Sequence, residues 1–244
     1  MKRTITVLLL IISLYHFTAC DNGSPGESVH TAPDTPRVIG VSVWDRISTR
    51  SEPRRSSAST TLLSLGEKFL YLDSAAIDSA YNNTEFLKVQ LSDSSVAWVY
   101  GFASVLHATP GVVTKNVPLY MRPDLLTISD KELQAMEIVA VTEEWDDWIR
   151  VVNEKKANVG WIKKEFITYN TVDLAFALLA KRRMAEEDPE QKIKNIEALL
   201  ENNPYPSTVF MPEVRERLED EKEIFRESRQ NRDREDENRR RRND

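Results

Sequence analysis

A single cysteine, Cys20, rules out any internal disulfide in this chain. Only three histidines occur, His16, His30 and His107, and none has a partner at metal-ligand spacing. Glycine totals 7, too few for a Gly-rich phosphate loop. An excess of basic charge is missing as well. The formal net charge is −6 over 244 residues, which speaks against general nucleic-acid binding. No apolar run reaches the roughly 20 residues that a spanning helix needs.

What is present begins at the N-terminus. Lys2 and Arg3 precede an apolar stretch from Ile5 to Tyr15, about a dozen residues, the length of a signal-peptide h-region. Phe17-Thr18-Ala19-Cys20 follows directly. A small residue and then Cys in this place resembles the lipobox of bacterial lipoprotein signal peptides, with Phe17 where that family prefers Leu. The resemblance implies cleavage before Cys20 and a diacylglyceryl thioether on its sulfur. Residues 1–19 are then a signal peptide. An ordinary cleaved leader and an uncleaved anchor are the rival readings. Acyl chains contribute about 0.8 kcal/mol per buried methylene, so two or three of them hold a protein on a bilayer durably. Residues 20–36 carry Gly23, Pro25, Gly26, Pro33 and Pro36 among Ser, Asp and Thr, the composition of a flexible tether. Asp21 resembles the inner-membrane retention signal of enteric bacteria, a rule that does not transfer to every diderm. The expected location is the cell envelope, on the periplasmic face of either membrane.

Between 38 and 168, short β-branched and aromatic runs alternate with turn-like clusters. Strands are expected at 69–72, 86–91, 96–100, 137–141, 148–152 and 159–162, with turns at 92–95 and 153–156. The runs repeat. Phe86-Leu87-Lys88-Val89 aligns with Trp148-Ile149-Arg150-Val151, and Ala97-Trp98-Val99 with Gly160-Trp161-Ile162 after a one-residue difference in the turn. Arg50-Ser51-Glu52-Pro53 matches Arg122-Pro123, and 73–85 reads as an insertion in the first copy. Repeated short strands point to two small β-barrels in tandem. Each copy resembles a bacterial SH3 domain, the second more closely because it keeps Gly160 and Trp148 where the first has Ala97 and Phe86. The resemblance covers about half of the chain. It implies two SH3-like barrels, at 37–106 and 111–168, with Trp98, Trp148 and Trp161 packed in their cores.

Beyond Tyr169 the periodicity becomes helical, so the expected class is mainly β with an α tail. Leu174, Leu178, Leu179 and Met184 mark a first helix. Asp188-Pro189 starts a second, with Ile193, Ile196, Leu199 and Leu200 on one face. Pro212 starts a third, with Val214, Leu218 and Phe225 as a thin stripe. The helical region is expected at 169–230. Residues 231–244 lack apolar side chains and are expected to be disordered.

Chemistry is sparse. Bacterial SH3 domains often accompany cell-wall cysteine peptidases or amidases. A cysteine peptidase needs a thiolate beside a His base, and the lipobox consumes Cys20. A zinc amidase needs several His and carboxylate ligands, yet His16 lies in the leader and His30 in the tether. The chain is therefore expected not to be an enzyme, with no catalytic residue, metal or cofactor. Glu143-Glu144-Trp145-Asp146-Asp147-Trp148 has the look of a carboxylate site, but a solvated hairpin turn is the better reading. Trp44, Tyr71, Tyr120 and Trp145 lie outside the repeat's core positions. Of these, Tyr120 and Trp145 in the second copy are the expected ligand-binding aromatics, with the acidic turn favouring a basic partner. Arg239 to Arg242 offer weak contact to anionic lipid or cell-wall phosphate. The expected function is a membrane-anchored, non-enzymatic module that binds peptidoglycan peptides or an envelope protein. The alternative is a scaffold whose C-terminal helices hold a protein partner.

Overall fold

A computed structural model describes residues 37–243, so the leader, Cys20 and the tether lie outside the described residues. The first copy contributes β1 (Val38–Ser42), β2 (Ile47–Arg50), β3 (Ser59–Leu63), β4 (Lys68–Asp78), β5 (Thr84–Gln90), β6 (Val96–Tyr100) and β7 (Ser104–Leu106). The second contributes β8 (Thr109–Val113), β9 (Val117–Tyr120), β10 (Ile128–Leu133), β11 (Ile138–Trp145), β12 (Trp148–Val152), β13 (Val159–Lys163) and β14 (Ile167–Thr168). Each set forms a seven-stranded antiparallel sheet, ordered β3-β2-β6-β5-β4-β1-β7 and β10-β9-β13-β12-β11-β8-β14. Adding seven to each label of the first order reproduces the second. A short 3-10 turn, Gly101–Ala103 or Lys164–Phe166, precedes the last strand of each. Neither sheet closes its ladder, so the architecture is two open sheets followed by a helical segment.

Strand registers test the alignment of the copies residue by residue. Lys88 faces Trp98 as Arg150 faces Trp161, and Leu87 faces Val99 as Ile149 faces Ile162. The inferred alignment of these strands therefore holds. The start of the repeat needs a correction. Arg50 faces Trp98 as Tyr120 faces Trp161, so Arg50 corresponds to Tyr120, while Pro53 corresponds to Pro123. The inserted 73–85 stretch is not a loop. It lengthens the β4–β5 hairpin, which pairs Ala75 with Leu87 and Asp78 with Thr84, whereas β11 and β12 turn over directly after Trp145.

Alternation along the strands sends Val117, Leu119, Val139, Val141, Ile149, Val151 and Ile162 into one cluster in the second copy. Leu63, Phe69, Leu87, Val89, Leu91 and Val99 do the same in the first. Of the three tryptophans expected to pack in the barrel cores, Trp148 is buried and Trp98 packs on the small Phe86–Tyr100–Ala103 cluster, but none joins the main cluster of its copy. Ala97 and Val99 point inward, as do Gly160 and Ile162, so Trp98 and Trp161 between them project from the opposite face and are half-buried. Trp148 is buried, but it adjoins the core residue Ile149 in the strand and so also faces outward.

The copies touch directly. Val41, Val43 and Ala108 pack with Ala140 and Val152, and the Lys155 amide donates to the Val43 carbonyl at 2.7 Å. The helices α1 (Thr171–Met184), α2 (Pro189–Glu201) and α3 (Met211–Asn243) then cover both copies. Leu65 from the first copy and Val112, Met136 and Ile138 from the second join Phe176, Ala177, Ala180, Ile196, Leu199, Val214 and Leu218 in one core. The inward residues of α1 are Phe176, Ala177 and Ala180, while the expected leucines pack at the margin. That helix is apolar on several sides, so periodicity alone does not single out its deepest face. Asp188 caps α2 through the amides of Glu190 and Gln191, and Pro189 occupies the first turn. The buried Asp173 carboxylate accepts from the Thr168 and Thr208 hydroxyls and the Val209 amide, tying α1 to the approach of α3. α3 continues through 231–243, where sequence composition leads one to expect disorder; pairs such as Arg241–Glu237 at helical spacing support it.

Candidate functional site

On the outward face of the first sheet a small core of Phe86, Tyr100 and Ala103 carries Trp44 and Trp98 at its margin. Phe86, Tyr100 and Phe102 stack in series, with ring centroids 4.7 and 5.1 Å apart, and Trp44 meets Phe102 edge-on at 5.2 Å. The β1–β2 turn places Trp44, and the 3-10 turn after β6 places Phe102, which is 47% exposed. Arg50 lies beside them on β2. Its Nε donates to the Tyr100 hydroxyl and its Nη1 to the Ser57 carbonyl, both at 3.0 Å, so the guanidinium is held in place. A cleft of about 590 Å³ runs along this face past Trp44, Arg50, Arg55, Tyr81, Tyr100 and Phe102.

The lengthened hairpin forms the far wall. Tyr81 at its tip carries the Arg55 guanidinium 3.9 Å above its ring, and the Arg55 amide donates to Asp78 at 2.9 Å. A second hollow of about 740 Å³ continues from there between 53–56 and 76–81. The second copy also reaches this face. Lys155 sits 5.4 Å above the Trp44 ring, and Lys156 donates to the Gly101 carbonyl at 3.4 Å. Burial pulls the Lys156 pKa below its ordinary value, with Glu85 acting against the shift.

The residues expected to bind ligand stand on the matching face of the second copy. Trp145 is 66% exposed at the tip of the β11–β12 hairpin. Tyr120 is half-buried and meets Trp148 edge-on at 4.9 Å. Trp145 and Trp148 are direct cross-strand partners and so share a face. Neither Trp145 nor Tyr120 lines the two hollows of the first copy. The acidic turn is largely neutralised within its own copy. Glu143 pairs with Arg150 at 2.6 Å, Glu144 with Lys164 at 2.8 Å, and Asp147 with Lys163, whose hydrogen bond holds the Asp147 pKa below the usual carboxylate range. A basic partner would have to displace these cations, so the turn is a hairpin stabilised by its neighbours and not a free acidic surface.

Of the four aromatics outside the repeat's core positions, Trp44 is the one that lines the cleft. Arg50 was legible only as the start of the repeat, and Arg55, Tyr81, Tyr100 and Phe102 not as site residues, because their meeting depends on the register between β2 and β6 and on the fold of the hairpin. Among the described residues, no three His, Cys, Asp or Glu side chains gather as metal ligands. No described helix is long and apolar enough to cross a membrane.

No family model matches the chain, and no curated protein is similar to it. Two solved structures similar to it are NlpC2 and NlpC1 from Trichomonas vaginalis. The match to NlpC2 covers 66% of this chain and 56% of that one, at 12% identity and a TM-score of 0.24. For NlpC1 the shares are 60% and 53%, with 13% identity and a TM-score of 0.25. The chain thus spans about half the length of these structures, and a likeness this slight carries no argument for an activity or a fold here. It does correct one expectation. The expectation that the chain is not an enzyme does not stand against these matches to two NlpC proteins. That statement rested on Cys20, His16 and His30, all outside the described residues.

Proposed function

We propose that this chain is a lipid-anchored protein of the bacterial cell envelope whose two copies are SH3-like barrels and whose first copy binds peptidoglycan peptides. The barrel reading draws support from the second copy's core, which takes side chains from β8 to β13 of one sheet. A flat sheet cannot bring so many strands onto one cluster; a sheet curled on itself can. Anchorage rests on the leader and Cys20, and faces the protein toward the periplasm. The observation that carries the binding reading is the aromatic cleft of the first copy, where Trp44, Tyr81 and Phe102 offer flat apolar surface beside fixed polar groups. An envelope protein segment is the other ligand this cleft suits.

Sedimentation of the full chain with purified peptidoglycan tests the reading. Retention should fall several-fold in Tyr81→Ala and Phe102→Ala, both exposed, with melting near that of the parent. Retention that survives both substitutions removes the cleft from the account. For the anchor, Cys20→Ser should abolish acyl labelling, and a mutant that still labels contradicts it.

A scaffold reading is favoured by α3. Its 33 residues extend about 50 Å, but among the described side chains its buried residues end at Leu218. Charge reversal at Arg239 to Arg242 that removes a captured envelope partner, with peptidoglycan retention intact, would support it.

A further inference from the structure

We infer that the cleft of the first copy recognises the free carboxylates of a peptidoglycan stem peptide, seated between the guanidinium groups of Arg50 and Arg55. This inference rests on the peptidoglycan-binding reading above and adds the chemistry of recognition. Two arginines face one cleft, and neither is paired with a carboxylate among the described residues. Arg54 between them is different: it pairs with Glu52 at 3.2 Å. Arg50 is held by a carbonyl and a hydroxyl, which leave its charge unneutralised. Arg55 is held by the Tyr81 ring, which orients the guanidinium plane without neutralising it.

The acids that border the cleft are already engaged. Asp45 accepts two hydrogen bonds from Arg182, at 2.7 and 3.0 Å. Glu85 lies by Lys156, and Asp78 accepts only the neutral Arg55 amide, so it sets one negative charge against Arg50, Arg55 and Lys155. Lys155, contributed by the second copy, adds positive charge above Trp44. The local field is therefore positive although the chain as a whole carries −6. A planar fork of donors is the arrangement that grips a carboxylate on two oxygens. The second copy lacks this pair: Tyr120 occupies the place of Arg50, and Leu125 follows the Pro123-Asp124 turn that corresponds to Pro53-Arg54.

Calorimetric titration of the detergent-solubilised full chain with a soluble stem peptide decides the matter. One peptide carries free carboxylates; the other has the same sequence with those groups amidated. The free acid should bind about ten-fold more tightly, the scale of a charge-assisted hydrogen-bond pair. Arg55→Gln should erase that preference without shifting the melt, since Arg55 is exposed, and Arg55→Lys should recover part of it. Equal binding of the two peptides, or a preference that persists in Arg55→Gln, overturns the carboxylate inference while leaving the cleft as a peptide site. Binding of neither peptide overturns the peptidoglycan reading and this inference together.

Discussion

The two copies share one topology and one set of registers, and Trp98 matches Trp161 on their outward faces, yet the positions around those tryptophans differ. Trp44 corresponds to Lys115, because the Val43 amide meets the Ala103 carbonyl as the Thr114 amide meets that of Phe166. By the same pairing Phe102 corresponds to Glu165 and Tyr100 to Lys163. One face is an open aromatic cleft with uncompensated cations. On the other, Tyr120 and Lys163 pack against Trp148, and three ion pairs line the hairpin. The inward positions carry the fold in both copies. Outward positions are free of that demand, so a duplicated sheet can keep its core and make a site on one copy only.

The largest expected effect asks whether the copies can be separated at all. Phe176 is fully buried in the core that spans the helices and both sheets. Phe176→Ala should cost about 3–5 kcal/mol in denaturant unfolding, through a single transition. Two resolved transitions, only one of them shifted, would show the copies to be independent units.

A smaller loss is expected at Asp173, whose carboxylate satisfies three donors while itself 1% exposed. Asp173→Ala should cost roughly 1–3 kcal/mol by leaving buried donors unpaired. A neutral result would mean that α1 and the 203–210 segment are held by apolar packing alone.

The smallest effect sharpens the comparison at one matched pair. Asp45 caps the Leu65 amide as Asn116 caps that of Ala135. Partial burial raises the Asp45 pKa, but hydrogen bonds from Arg182 and the Leu65 amide outweigh it, and the value is lowered. A lowered carboxylate contributes stability above its unfolded pKa of 3.8 and loses it as pH falls through the folded value. The first copy should therefore loosen below about pH 4 in hydrogen exchange near Leu65, while the Asn116 turn does not respond. Asp45→Asn should remove the pH dependence, and an unchanged profile in that variant assigns it to another group.

The duplication was legible because inward strand residues follow a period of two and the copies share it at Phe86-Leu87-Lys88-Val89 and Trp148-Ile149-Arg150-Val151. Helix starts were legible where a cap announced them, as at Asp188-Pro189. The direction of the tryptophans was not, since a bulky aromatic beside valines reads as core until the register decides which face it takes. The ion pairs of the acidic turn were not legible for a related reason: its cations, Arg150, Lys163 and Lys164, come from β12, β13 and the turn beyond. The cleft could not be foreseen, because it needs the β1–β2 turn, the 51–58 turn, the long hairpin and a loop of the other copy in one place.

Stem-peptide binding by two double variants of the full chain, compared side by side, tests the division of labour most directly. Trp44→Lys with Phe102→Glu gives the first copy the second copy's residues, while Tyr120→Ala with Trp145→Ala removes the aromatics of the second. The account predicts that the first variant loses binding at least several-fold beyond any loss of folded protein, and that the second binds as the parent does. Binding retained by the first variant and lost by the second would contradict it.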